Sequence, residues 1–308
     1  MNQVAFQLAL VCLAASCQAD APAEPDPCEI VQPSTPLPAV LEESSGVTVS
    51  RAHPGVLWSM NDSGNDAVLY AVTPSGALVG SVEVEGARNH DWEDVALGPC
   101  GGAGDCLYVA DTGNNDADRQ EKGTLALYRL PEPDPATTHE ASGAERFPFR
   151  YPDGEHDSEA LFVLPSGQPF LVTKGRYGAV GLYRFPIPLR SGQEVELERV
   201  AMLTTKEPSN GGRVTGADAS PDGRWVAIRS YATLSLYRAD RLVGGDTRPA
   251  LIVGLAPLEE AQGEGVALLD DGRVVLTSEA GPEHAPATLA ILQCALPDSG
   301  VARSGGRD

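Results

Sequence analysis

A chain of 308 residues is long enough for one large domain or two small ones, and 42% hydrophobic residues allow a packed core. The formal net charge of −21 repels phosphate backbones and argues against a nucleic-acid partner, while it suits an extracellular surface and attracts cations. With 33 Gly and 25 Pro spread along the chain and no long amphipathic period, the composition favours many short strands joined by turns over helices.

The first apolar run, residues 4–15 (VAFQLALVCLAA), ends in small residues as an export signal does, and is too short to cross a bilayer as a permanent helix. Ala14-Ala15-Ser16-Cys17 resembles a bacterial lipobox, in which Cys17 is lipidated and becomes the new N-terminus. No Lys or Arg precedes Arg51, so the basic segment usual ahead of such a run is missing. This pattern divides the chain into a lipoprotein signal peptide (1–17), a flexible tether (18–27), a folded domain (28–297) and a loose tail (298–308). The expected location is the cell envelope, as an outer-membrane lipoprotein or in the periplasm, with a lipid anchor as the sole membrane contact. Cleavage without lipidation is the alternative. Cysteine placement agrees with an oxidising compartment. Cys100 and Cys106 flank a small glycine-rich loop that a disulfide could close, and a Cys28–Cys294 bridge would staple the two ends of the folded region.

Within that region one strand type recurs: VLYAV (68–72), TLALYRL (124–130), GLYRF (181–185), TLSLYRA (233–239) and TLAILQC (288–294). Tyr70, Tyr128, Tyr183, Tyr237 and Leu292 follow one another at steps of 54 to 58 residues. Self-similarity at this period, with several short strands per repeat, points to propeller blades. Each repeat also has a first strand, beginning near Ser45, Glu93, Glu159, Thr215 and Glu264, and a second strand, separated from it in places by Asp-Gly turns such as SPDGR and LDDGR. Fourth strands are weaker: LVGSVEV, RFPFRY, VELERVAML and ALIVGL. The last repeat has none after Pro297, and CEIVQ (28–32) is free to supply it, which would close the ring and remove an open edge. The expected fold is all-β: a single β-propeller of five blades with four antiparallel strands each, closed by the N-terminal strand, with six blades as the runner-up.

His-Asp-x-Glu occurs twice, as HDWE (90–93) and HDSE (156–159), because the blade is repeated. The aligned column Ser45, Glu93, Glu159, Thr215 and Glu264 opens the innermost strands and should ring one mouth of the axis. Two unit charges ~6 Å apart at an effective dielectric of ~20 repel by roughly 3 kcal/mol, so gathered carboxylates call for a cation, raised pKa values or basic neighbours. The metal-ligand candidates are Glu93, Asp111, Glu159 and Glu264, with a hard divalent cation such as Ca²⁺ as the expected cofactor. Asp62, Asn65, Asn114, Lys174, Arg229 and Glu279 sit at second-strand ends facing the same mouth and are candidate ligand-binding residues. His90, His156 and Glu159 are the candidates for acid–base work. Each has a plainer reading. Asp-Ser-Gly-Asn (62–65) is an Asx-turn signature, the histidines could cap turns, and Lys174 and Arg229 could neutralise the carboxylates without a metal.

The segments NDSGN, DWEDVA, VADTGNN, HDSEALFV, VTGADASPDGR and GEGVALLDDGR give the chain a resemblance to exported bacterial β-propellers, the gluconolactonase-like and phytase- or esterase-like groups among them. Gluconolactonase-like propellers hold a divalent cation on the axis with Glu, Asn and Asp ligands, which the resemblance carries onto Glu93, Asp111 and Glu264. They usually have six blades where this chain counts five. G-x-S-x-G, H-E-x-x-H and Walker loops are absent. Two functions follow. One is a binding or scaffold module that presents the acidic mouth to a cation, a small polar molecule or a cell-envelope protein. The other is a metal-dependent hydrolase of lactones or esters using the same site.

Overall fold

The computed structural model describes residues 27–102 and 104–296. The signal peptide, Cys17, nearly all of the tether and the tail lie outside the described residues. The rest forms five antiparallel sheets in chain order around one axis. The molecule is a five-bladed β-propeller.

Each blade runs from an innermost strand outward. The innermost strands are Ser44–Val49, Trp92–Pro99, Ser158–Val163, Val214–Ala219 and Gln262–Leu268. These strands are buried almost throughout, because blades flank them and the axis lies ahead. Outer strands such as Leu78–Val84 alternate between buried and exposed. The ring closes as the sequence suggested. Cys28–Pro36 pairs antiparallel with Thr288–Cys294 and completes the fifth blade, with Cys28 opposite Cys294 in the register. That pair forms one disulfide and Cys100–Cys106 the other.

The fourth strands differ from expectation in two blades. The stretch VELERVAML divides: Glu198–Met202 is the fourth strand of blade three, while Val195–Glu196 pairs in parallel with the outer strand of blade two. Glu140–Ala141 adds to the outer strand of blade one in the same way. Both additions cover edges that would otherwise present free backbone groups.

The core is five separate apolar clusters, each shared by two consecutive blades. Trp58, Leu69 and Trp92 lie between blades one and two, and Phe149, Leu161 and Tyr183 between two and three. Phe162 and Val226 lie between three and four, Trp225 and Leu276 between four and five, and Leu41 and Ile291 between five and one. The lower part of the axis is filled by a residue outside the expected site. Asp94 is fully buried and accepts backbone N–H bonds from Val95 (2.8 Å), Leu161 (2.8 Å) and Ala217 (3.2 Å), tying blades two, three and four together. The other four blades carry Gly46, Ala160, Gly216 and Gly265 at this level. A β-carbon on Gly46 would strike the Asp94 carboxylate, so small residues there make room for it.

Candidate functional site

Every innermost strand carries a β-bulge at its entry. The ladder skips Glu93 between Trp92 and Asp94, Glu159 between Ser158 and Ala160, and Thr215 between Val214 and Gly216. Blades one and five skip two residues each, Ser45-Gly46 and Glu264-Gly265. The column read from the sequence is thus a column of bulged residues, released from pairing and turned by the local kink. The hydroxyl members use this freedom to seal the ring. Ser45 Oγ donates to the Glu93 carbonyl at 2.6 Å, and Thr215 Oγ1 donates to the carbonyls of Gly263 and Glu264 at 3.0 and 3.1 Å.

The glutamates converge with aspartates. Oxygens of Asp62, Asp91 and Glu93 lie within 4.8 Å of one another, and so do oxygens of Glu93, Asp157 and Glu159. Glu93 belongs to both groups and bridges them. Backbone geometry permits the crowding. Gly113, in the ADTGNN loop, packs where any β-carbon would collide with Glu93 Oε1 and the Asp91 carboxylate. Two oxygens in this cluster, Asp91 Oδ1 and Asp157 Oδ2, are buried without a hydrogen-bond partner. The Arg176 guanidinium stands 3.7 Å from the latter, beyond hydrogen-bond reach.

Electrostatics follows from the packing. Burial, then the charges of Glu159, Asp62, Asp91 and Asp157, pushes Glu93 well above the usual carboxyl range. Burial raises Glu159 well above it too, against the pull of Lys174. Asp91 rises to about 7 through burial and the Asp62 charge, and Asp62 is itself raised by burial. Lys174 Nζ is ion-paired with Glu159 Oε1 and lies 5.9 Å from the Tyr231 ring centroid. Burial disfavours its charge, but Glu159 and Glu93 outweigh that and raise its pKa.

The other sequence candidates are dispersed. Glu264 is in neither acidic group. Its Oε1 accepts from Gln262 Nε2 at 2.8 Å, its Oε2 has no partner, and burial with the Glu279 charge raises it to about 8. Glu279 rises to about 7 by burial and Asp62. Asp111 is fully buried and stands outside both groups. Its oxygens take Arg119 Nη2 (2.7 Å), the Asp91 N–H (3.0 Å) and His90 Nδ1 (2.9 Å). Asn114 is saturated by Asp157, Glu155, His156 and the N–H groups of Asp118 and Arg119. Asn65 closes its own turn on the Asp62 carbonyl and reaches Glu43 Oε2 at 2.6 Å. Arg229 is fully buried between blades four and five, bonded to the carbonyls of Gly265 and Thr277 and ion-paired with Glu260. His156 Nε2 bonds Asp153 and the Tyr183 hydroxyl at 3.0 and 3.1 Å. His90 stays half-exposed beside a cavity of about 340 Å³ whose lining includes Ser63, Asp91, Arg119 and Lys122. Asp91 and Asp157 were legible as part of the repeated tetrapeptide. Each lies just ahead of its innermost strand, two positions before the bulged Glu.

The sequence matches no protein-family profile, and no curated protein is significantly similar to it. Its fold is similar to that of the PQQ-bound aldose sugar dehydrogenase from Streptomyces coelicolor, at 11% identity and a TM-score of 0.51, over 87% of this chain and 98% of that one. A gluconolactonase from Xanthomonas campestris aligns at 13% identity and a TM-score of 0.44, over 82% of this chain and 72% of that one. A protein from Dyadobacter fermentans aligns at 12% and 0.46, over 87% and 100%. At such identities the likeness to the dehydrogenase shows the propeller fold alone.

Proposed function

We propose that this propeller is an exported cation-binding module whose axial mouth takes a hard divalent ion such as Ca²⁺ between Glu93, Asp157 and Glu159, with Asp91 and Asp62 beside them. One observation carries the reading: two acidic groups share Glu93, and they contain buried carboxylate oxygens that accept no hydrogen bond among the described residues. Unpartnered buried acceptors are uncommon because each forfeits its hydration, and a cation would restore their coordination. The donors are oxygens only, with no Cys or His in either group, which suits Ca²⁺, Mg²⁺ or Mn²⁺ better than Zn²⁺. A bound cation there would supply a fixed positive charge able to hold and polarise an oxygen of a small polar ligand. The paired disulfides and the lipobox-like Cys17 support placement in the envelope, tethered by lipid.

Calorimetric titration of EDTA-treated protein with Ca²⁺, Mg²⁺ and Mn²⁺ tests the site. Saturable binding that Asp157→Asn and Glu93→Gln abolish in folded variants is the expected result. Undiminished binding in both variants, or no binding by wild type, would refute it. A hydrolytic reading draws on one further observation, the His90 Nδ1–Asp111 Oδ2 pair at 2.9 Å with the imidazole half-open to the cavity beside Asp91. That arrangement could orient His90 as a base. A lactone and ester panel, with His90→Gln as control, separates a hydrolase from a binding module.

A further inference from the structure

The axis has a second mouth, at the far end of the innermost strands, and it is built differently. A cavity of about 300 Å³ opens there, lined by all five blades. One residue from each forms an apolar collar: Val49, Leu97, Val163, Ala219 and Leu268. All but Val49 are buried. The cup is blind, since Asp94 and its three backbone partners close the axis between it and the acidic mouth. A volume of this size is at the lower end for small-molecule sites, which are mostly apolar with a few placed polar groups.

The placed group is Asp218. It lines the cavity and is 7% exposed. Its Oδ1 accepts the Ala219 N–H and its Oδ2 the Leu268 N–H, both at 2.9 Å, so the carboxylate is fixed across blades four and five. At the same level the other blades carry Thr48, Ala96, Phe162 and Ala267, none of them charged. Among the described residues Asp218 makes no ion pair. Arg51, at the rim, is held by Asp105 at 2.9 Å. Burial raises Asp218 to about 7, a rise that its two backbone donors and the Arg51 charge at the rim offset only in part.

We propose that this second mouth binds a small organic cation, a primary amine or amidine on a compact apolar body, with its charged head on Asp218 and its body inside the collar. An N–H donor on the ligand fills the lone pairs that the two backbone donors leave, and the collar excludes the water that would otherwise screen the pair. The molecule's charge of −21 draws such ligands toward it.

Ligand-observed NMR titration of the full chain with benzylamine and with cyclohexylamine tests this, using benzyl alcohol and cyclohexanol as uncharged counterparts. The amines should bind saturably and about tenfold or more tightly than the alcohols, as expected for a hydrogen bond to a charged group. Asp218→Asn, which keeps the shape and an acceptor, should bring amine affinity down to the alcohol level. Ala219→Leu, which fills the collar and leaves Asp218 in place, should abolish binding of both. Asp157→Asn, at the acidic mouth, should leave amine affinity unchanged even though it removes a proposed cation ligand. Absence of amine binding, equal affinity for amine and alcohol, indifference to Asp218→Asn or Ala219→Leu, or loss through Asp157→Asn would each overturn the assignment.

Discussion

Replacing Asp91 by Asn should make the metal-free protein more stable at pH 8, although it alters a buried residue. Asp91 is 5% exposed, has one unpartnered oxygen and is raised from 3.8 to about 7 by burial and by Asp62. Its folded value lies above its unfolded one, so the folded state binds the extra proton. The associated stability is fully present below about 3.8 and is lost as pH rises through about 7. A tenfold difference in proton affinity between the folded and unfolded chain is worth ~1.4 kcal/mol, which sets a ceiling of about 4 kcal/mol on the penalty at pH 8. Asp62 shares the same charge balance and relaxes when Asp91 is neutralised, so about 2–4 kcal/mol is expected. Asn also brings an N–H donor to neighbouring carboxylates. For a protein of this size the gain amounts to roughly 4–8 °C in Tm. Calorimetric scans in EDTA at pH 5, 6, 7 and 8 would measure it. The difference between variant and wild type should widen steadily toward pH 8 and narrow toward pH 5. With Ca²⁺ present the order should reverse at pH 8, because the wild type then gains binding energy the variant lacks. A pH-independent difference, or a wild type that grows more stable than the variant as pH rises without metal, would refute the account of this cluster.

Lys174→Met leaves Glu159 buried without its cation and should cost about 3 kcal/mol in urea unfolding, part of it recovered on adding Ca²⁺. Removing the Cys28–Cys294 bridge frees a loop spanning 266 positions and should cost about 5.5 kcal/mol by chain entropy, against about 2 for Cys100–Cys106, whose separation is 6. Serine pairs at each bridge, compared by denaturant midpoint, check that order. Asp94→Ala strands the N–H groups of Val95, Leu161 and Ala217 and should cost about 3–6 kcal/mol. Asp94→Asn, which retains one acceptor, should lose less in the same assay.

The fold was legible because its signals are local and repeated. Tyr70, Tyr128, Tyr183 and Tyr237 mark the third strand of successive blades, and a repeat that lacks its last strand needs one from elsewhere. Cys28 and Cys294 named the partner. The splitting of VELERVAML was not legible, since Val195–Glu196 follows the edge of blade two rather than its own alternation. At the acidic mouth the column of bulged positions could be read, but not where each side chain would turn. Glu93 and Glu159 meet because Asp91, Asp157 and the Gly113 backbone shape the space around them. Glu264 has the same register and goes instead to Gln262, beside Glu279. Arg229 looked like a rim cation and is an interblade latch, because its long side chain reaches carbonyls that the bulge of blade five leaves free.

Ring size connects these particulars. In so narrow a ring one aspartate on blade two can reach backbone N–H groups on blades three and four, as Asp94 does. That reach demands small residues at the same level elsewhere, and it blocks the axis. A blocked axis has two unconnected ends. Above the block three of the five bulged residues are glutamates, and with Asp62, Asp91 and Asp157 they crowd carboxylates that are partly without hydrogen-bond partners. Below it the same strands present an apolar collar and the buried carboxylate of Asp218, with Arg51, Asp270 and Asp271 exposed around the opening. The two proposals above accordingly assign different ligands to the two ends. Widening the axis at Asp94 should disturb both at once, whereas changes at Asp157 or Asp218 should each be felt at one end alone.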